Sequence, residues 1–142
     1  MKENLMYLEP KQAKVIFPPD IFTGLGWIDF IYRGRELSQA RLNTLLFSPG
    51  SRTAWHCIGL GQTLHVTEGS GLVVARDEFV IPVRTGDTVR ISPGEEYWQG
   101  AMPDSFVSML ALWEGDEVVV GEHIPDAEYA AAVSVARRLP AG

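Results

Sequence analysis

Residues 49–69 read PGSRTAWHCIGLGQTLHVTEG, and residues 86–98 read GDTVRISPGEEYW. In the first segment five residues separate Gly50 from His56, and three separate Ile58 from Gln62. The second segment runs from Gly86 to Tyr97 and Trp98. Glycine and proline at 49–50, 69, 86 and 93–94 are typical of turns, and the residues between them favour strands. The two segments therefore predict paired β-structure that presents polar side chains at fixed spacing.

The same alternation of short strands and turns continues outward from these segments. Turn-forming residues lie at 48–50, 68–71, 85–87 and 92–94. Between them the β-rich runs are residues 42–47, 63–66, 72–75, 80–83, 88–91 and 106–112. An N-terminal arm with a short strand near residues 27–32 precedes them, and acids after Pro125 with two arginines at 137–138 predict a C-terminal helix over about 125–138. The pattern predicts an all-β sandwich or barrel.

Composition limits the function classes. The chain has 142 residues, of which 46% are apolar, and this suits one globular domain over residues 1–142 with a core barrel at about 22–120. Its net charge of -6 disfavours nucleic-acid and anionic-membrane partners. The single Cys57 cannot form an intramolecular disulfide, and the first ten residues lack the apolar segment of a secretory signal. No apolar run approaches the roughly 20 residues needed to cross a bilayer. We therefore expect a soluble, cytoplasmic protein.

The glycine frames and spacings of the two segments resemble the pair of motifs that characterise cupins. Residues 49–56, 60–64 and 92–95, with Trp98 and Gly100, resemble more closely a group of small bacterial cupins. That group includes manganese-dependent hydroxynitrile lyases and proteins related to carboxymuconolactone decarboxylase. The resemblance extends over about residues 22–129 and implies a small antiparallel jelly-roll barrel that forms a homodimer or a higher homo-oligomer.

The chain departs from this family at the metal site that the resemblance implies. Cupins take two His and a Glu or Gln from the first motif and one His from the second. Ile58 and Tyr97 stand here at two of the His positions, and Gln99 stands where the lyases place a further His. His56 and Gln62 remain, but a transition metal needs three or more donors. We expect no metal cofactor, since His56 and Gln62 alone would hold a divalent ion only weakly.

Strand parity predicts which side chains share a cavity with His56, because alternate residues of a strand face one side. Four rows should face inward: Asn43, Leu45 and Phe47; Gln62 and Leu64; Tyr97 and Gln99; Met109, Ala111 and Trp113. We predict catalytic roles for His56, Tyr97 and Gln62. The predicted substrate-binding residues are Asn43, Leu45, Phe47, Ile58, Gln99, Met109 and Trp113.

Other side chains are predicted to lie outside this cavity. Cys57 and His65 have the opposite parity to His56, and His123 precedes the C-terminal helix. The imidazoles of His65 and His123 are therefore expected at a surface or interface. Trp55 and Trp98 should also point away, beneath a second sheet or a subunit interface. An outward apolar face of this kind favours a homodimer at least.

Three functional hypotheses follow. The leading one is a metal-independent lyase, isomerase or cyclase for a small organic molecule, in which His56 and Tyr97 transfer protons or polarise a carbonyl. The second is a divergent metal-dependent lyase or oxygenase that holds Mn, Fe or Zn with His56, Gln62, Tyr97 and waters. The third is a non-catalytic module that binds a small ligand. Alternatively, His56, Gln62 and Tyr97 form only a buried hydrogen-bond network.

Overall fold

The computed structural model describes residues 5–140, which form twelve β-strands and one α-helix. The strands are β1 Val15–Ile16, β2 Phe22–Thr23, β3 Gly26–Arg33, β4 Ala40–Phe47, β5 Arg52–Thr53, β6 His56–Ile58, β7 Gln62–Ala75, β8 Phe79–Arg84, β9 Thr88–Ile91, β10 Tyr97–Ala101, β11 Val107–Glu114 and β12 Val118–Val120. Helix α1 covers Asp126–Arg138. Acids in its first turn and arginines in its last turn interact favourably with the helix dipole and stabilise the helix.

The strands pair antiparallel in two sheets that face each other. The first sheet has the strand order β1-β3-β4-β11-β7-β9. In the second sheet β7 pairs with β8 and with β10, and β10 also pairs with β5 and β6. Strand β5 then pairs with β2, and β6 pairs with β12. In β4, Arg41, Asn43, Leu45 and Phe47 are buried while the alternate residues are partly exposed. The predicted all-β jelly-roll barrel with an N-terminal arm and a C-terminal helix is thus confirmed.

One predicted turn is wrong. Residues 68–71 do not separate two strands, because β7 continues through them for 14 residues. Gly69 has φ +88° and lies so close to β11 that a Cβ atom there would collide with the carbonyl oxygen of Phe106. Two residues before it, at Thr67, the register of β11 on β7 shifts, since Ser108 pairs with Glu68 and Met109 pairs with Val66. The glycine therefore permits a close contact between strands, next to a bulge, rather than a chain reversal.

The prediction of what covers the two outward-facing tryptophans is also corrected. Trp55 and Trp98 do lie outside the barrel interior, in a second core with Tyr129 and Val133 of α1. The chain's own helix, rather than a second sheet or a partner subunit, covers this face of β10. As a result β10 is buried on both faces along its whole length.

Arg52 ties this helix to the barrel. Its guanidinium is almost fully buried and donates two hydrogen bonds to the Ile124 carbonyl, at 3.1 and 2.7 Å. It also donates to Asp126 at 2.7 Å and lies over the ring of Tyr129 at 4.6 Å.

No helix within residues 5–140 is long and apolar enough to cross a membrane.

Candidate active site

A cavity of about 250 Å³ lies between the two sheets. Its polar wall residues are Asn43, Thr53, His56, Gln62 and Gln99. The remaining wall is apolar: Phe17, Ile21, Ile28, Phe30, Leu45, Ala54, Ile58, Ala111, Trp113, Val118 and Val120. Phe30, Val118 and Val120 are also solvent-exposed and so form the rim. No charged side chain of residues 5–140 lines the cavity, which is the environment of a site for a small, mostly apolar molecule.

His56 is held in one tautomer by the backbone. Its Nδ1 lies 2.9 Å from the Ala54 carbonyl oxygen, and because a carbonyl can only accept, Nδ1 must carry the proton. The lone pair of the neutral ring is then on Nε2. Burial lowers the pKa of His56 from 6.5, and the hydrogen bond to Ala54 opposes this only in part. The site therefore contains a neutral imidazole at pH 7, in the form that accepts a proton.

Gln62 and Tyr97 form a second fixed pair behind this ring. The Tyr97 hydroxyl donates a hydrogen bond to Gln62 Oε1, and the Tyr97 ring lies against His56 with 4.3 Å between ring centroids. Tyr97 is buried in the interior core and does not line the cavity. Burial raises the pKa of Tyr97 well above 10. Tyr97 thus orients the Gln62 amide so that its NH₂ group is turned away from the phenol.

Two further carboxamides, those of Asn43 and Gln99, line the cavity. Asn43 on β4 and Gln99 on β10 are 7% and 2% exposed. The backbone N–H of Gln99 donates to Thr53 Oγ1 at 3.1 Å, but Gln99 Oε1 is buried without a hydrogen-bond partner among residues 5–140. Buried polar groups are normally paired, so an unpaired one in a cavity wall needs an explanation.

The structure brings most of the predicted site residues together. Seven of them line the one cavity: Asn43, Leu45, His56, Ile58, Gln62, Gln99 and Trp113. Phe47, Met109 and Tyr97 do not line it, because they lie in the interior core that supports the wall. His65 and His123 lie away from it and contact Thr88 and Thr23, at 2.8 and 3.4 Å.

Sequence reasoning missed the part of the wall that comes from the N-terminal arm and β3, from the chain at and just after β5, and from β12. These residues are Phe17, Ile21, Ile28, Phe30, Thr53, Ala54, Val118 and Val120. Parity along the predicted strand near 27–32 gives Ile28 and Phe30, and the β-branched run at 118–120 was a further strand signal. Residues 17 and 21 lie in irregular chain, where no periodicity exists to find them.

The donor set at the positions implied by the cupin resemblance does not fit a divalent transition metal. Ile58, 5% exposed, has no donor atom, and Gln62 Oε1 already accepts a hydrogen bond from the Tyr97 hydroxyl, whose pKa is raised by burial. Within the described part of the chain, no three His, Cys, Asp or Glu side chains are grouped so as to hold a metal ion. Ile58 and Tyr97 therefore do not replace the two histidines as ligands of a metal ion.

A jelly-roll barrel with a polar cluster between its sheets, built from a Gly50–Gly69 and a Gly86–Tyr97 segment, defines a small cupin. A cupin-like protein from Thermotoga maritima superposes with a TM-score of 0.75 at 26% identity, over 92% of this chain and 97% of that chain. A polyketide cyclase from Streptomyces resistomycificus shares the fold, with a TM-score of 0.61 at 18% identity over 77% of this chain and 82% of its own.

The sequence relationship is more specific. No model of a protein family matches the chain. (R)-Mandelonitrile lyase from Granulicella tundricola, however, is 39% identical over an alignment of 121 residues that covers 83% of this chain and 92% of that protein. The chain belongs to the family of small cupins that includes this lyase. The predicted relationship to the hydroxynitrile lyase group is thereby confirmed.

Proposed function

We propose that this protein is a lyase that cleaves small, uncharged α-hydroxynitriles, with His56 as the general base and without a metal ion. The observation that carries the proposal is the tautomer of His56, which leaves a basic Nε2 on a ring that lines an apolar cavity. The substrate class is suggested by the relative named (R)-mandelonitrile lyase. An aromatic hydroxynitrile also matches the apolar wall formed by Phe30, Leu45 and Trp113.

The proposed reaction is a proton transfer coupled to cleavage of one carbon–carbon bond. His56 Nε2 takes the proton of the substrate hydroxyl group. The electrons of the O–H bond form the carbonyl of the aldehyde, and the bond to the nitrile carbon breaks with its electron pair on cyanide. Cyanide then takes the proton from the imidazolium, so hydrogen cyanide and an aldehyde leave and His56 is neutral again.

The carboxamides would assist by neutral hydrogen bonds. Gln62 is fixed by Tyr97 with its NH₂ group free to donate to the departing cyanide, which gains negative charge in the transition state. Tyr97 has a different role here from the proton transfer expected from sequence. Because it does not line the cavity and its pKa is raised by burial, we assign it to the positioning of Gln62.

Cleavage of mandelonitrile tests this function directly. Release of benzaldehyde is followed for both enantiomers with the purified protein, with and without a chelator. We expect chelator-insensitive turnover, and we expect His56→Ala to reduce kcat/KM by about 10²–10⁴, the usual contribution of a general base. The matched control is His65→Ala, which removes an imidazole that contacts Thr88 outside the cavity.

The possible outcomes separate the three hypotheses. Turnover that needs added manganese, iron or zinc would contradict the metal-free reaction and favour the divergent metal-dependent lyase. Full activity in His56→Ala would refute the role of His56. Tight binding of the nitrile with no turnover by the wild type would leave a binding module.

A further inference from the structure

The connection between β12 and α1 crosses the outside of the barrel next to the segment that carries His56. We call this connection, residues 121–125, the strap. Four of its five residues are exposed, and the fifth, Ile124, is 1% exposed. His123 of the strap makes a contact of 3.4 Å with Thr23 on β2. A segment with one buried side chain has little packing of its own, so its position depends on the hydrogen bonds that it makes with its neighbours.

The strap holds the peptide group that selects the tautomer of His56. The Gly121 N–H donates to the Trp55 carbonyl at 2.7 Å, and the Trp55 N–H donates to the Glu122 carbonyl at 2.9 Å. The Trp55 N–H and the Ala54 carbonyl belong to one planar trans peptide group, so they point in opposite directions. The hydrogen bond to Glu122 therefore directs the Ala54 carbonyl away from the strap, and there it accepts from His56 Nδ1 at 2.9 Å. Rotation of this peptide group would remove the acceptor from Nδ1.

Arg52 anchors the strap to the same segment of chain. Its buried guanidinium donates two hydrogen bonds to the Ile124 carbonyl, at 3.1 and 2.7 Å, and one to Asp126 at 2.7 Å, where α1 begins. Hydrogen bonds from a charged donor are stronger than those between neutral groups. Ile124 is two residues beyond Glu122, so these bonds also fix the place of the Glu122 carbonyl. The guanidinium thus acts on the peptide group beside His56 through the strap.

We propose that Arg52 is a positioning residue of this site: through the strap it keeps the Ala54 carbonyl bonded to His56 Nδ1, and so keeps the lone pair of the imidazole on Nε2. Arg52 is not among the residues that line the cavity, so it acts through the backbone. The inference rests on the proposed function for the use of that lone pair as a base. It is tested on the imidazole itself, without turnover, so that its failure is distinct from a failure of the lyase reaction.

The test measures the tautomer by proton–nitrogen correlation spectra of the full chain with nitrogen-labelled histidine, at about pH 8, where imidazoles are neutral. His56 is assigned as the signal that is missing from His56→Phe. Arg52→Met removes the guanidinium, and Arg52→Lys keeps the charge with one nitrogen in place of three. Tyr129→Phe is the matched control, because it removes a buried hydrogen bond of 2.6 Å between α1 and the Ala101 carbonyl and leaves the bonds of the strap in place.

We expect the wild type to carry the proton of His56 on Nδ1. In folded Arg52→Met more than half of the rings should carry it on Nε2, and Arg52→Lys should show a smaller change in the same direction. Tyr129→Phe should keep the wild-type tautomer although its helix is destabilised. The kcat for mandelonitrile should fall about threefold to tenfold in Arg52→Met, the value of one neutral hydrogen bond, with KM nearly unchanged because no contact with the substrate is lost.

Two results would overturn the inference. The first is a proton that stays on Nδ1 of His56 in folded Arg52→Met, or in Arg52→Lys if the methionine variant does not fold. The second is a change of tautomer in Tyr129→Phe as large as that in the Arg52 variant, which would show only a general loosening of the barrel. A change confined to the Arg52 variants, in a protein that does not cleave mandelonitrile, would support the positioning role of Arg52 and refute the lyase reaction.

Discussion

Replacing Tyr97 with phenylalanine separates positioning from proton transfer at this site. The substitution removes one hydroxyl group that is buried with Gln62 and leaves the aromatic ring against His56. Gln62 Oε1 then has no donor. An unpaired buried acceptor costs about 1–3 kcal/mol, so the free energy of unfolding of Tyr97→Phe should fall by that amount.

The effect on catalysis should be smaller than that of removing the base. Without the phenol the Gln62 amide can rotate, and we expect kcat/KM for mandelonitrile to fall about tenfold, well short of the roughly 10²–10⁴ lost with a general acid or base. The pH profile of kcat/KM should keep its shape, because His56 is unchanged. Urea unfolding followed by tryptophan fluorescence gives the stability, and release of benzaldehyde gives the rate.

The double variant Tyr97→Phe with Gln62→Met is the internal control for this reasoning. Removing both partners leaves no orphaned acceptor, so the double variant should be more stable than Tyr97→Phe alone. A loss of activity above 100-fold in Tyr97→Phe, together with the disappearance of one limb of the pH profile, would refute the positioning role and make Tyr97 a proton donor.

Three further predictions concern stability. Arg52→Met should lower the free energy of unfolding by about 2–4 kcal/mol in urea, because buried charge-assisted hydrogen bonds at the start of α1 are lost, whereas Arg137→Met, on the exposed side of the helix, should change it by less than about 0.5 kcal/mol. Gly69→Ala should prevent recovery of folded protein, while Gly94→Ala, at φ +72° with open space around it, should cost only about 1–2 kcal/mol; equal effects would contradict the close contact with β11. The lowered pKa of His56 means that the unfolded chain binds the proton more readily, so stability should be full above pH 6.5 and should decline as the pH falls from 6.5 through the lower folded pKa. Urea titrations between pH 5 and 7.5 should show this slope in the wild type and not in His56→Phe.

Local patterns were enough to predict the barrel and the centre of its cavity. The alternation Asn43, Leu45, Phe47 has a period of two, and the structure buries all three as that period requires. The motif spacing placed His56 and Gln62 in one cavity for the same reason. The roles of these residues, the dimer and the cytoplasmic location stay predictions.

The features that sequence could not give depend on contacts between distant segments. Gly69 has the residue type of a turn, and only the approach of β11 shows that the strand continues. Tyr97 has the parity of a cavity residue, but its distance from the cavity is set by the His56 ring in front of it. The burial of Trp98 depends on α1, whose position relative to β10 no local pattern determines.

Strand β7 belongs to both sheets, since residues 62–69 pair with β11 and residues 70–75 pair with β8 and β10. One sheet cannot separate from the other without breaking this strand or unpairing half of it. The two walls of the cavity are thus coupled through β7. A ligand that contacts both His56 and Asn43 binds to two sheets that cannot move apart independently. Loss of structure should accordingly occur in one cooperative step, and a ligand reaches the cavity past the exposed rim of Phe30, Val118 and Val120 without any separation of the sheets.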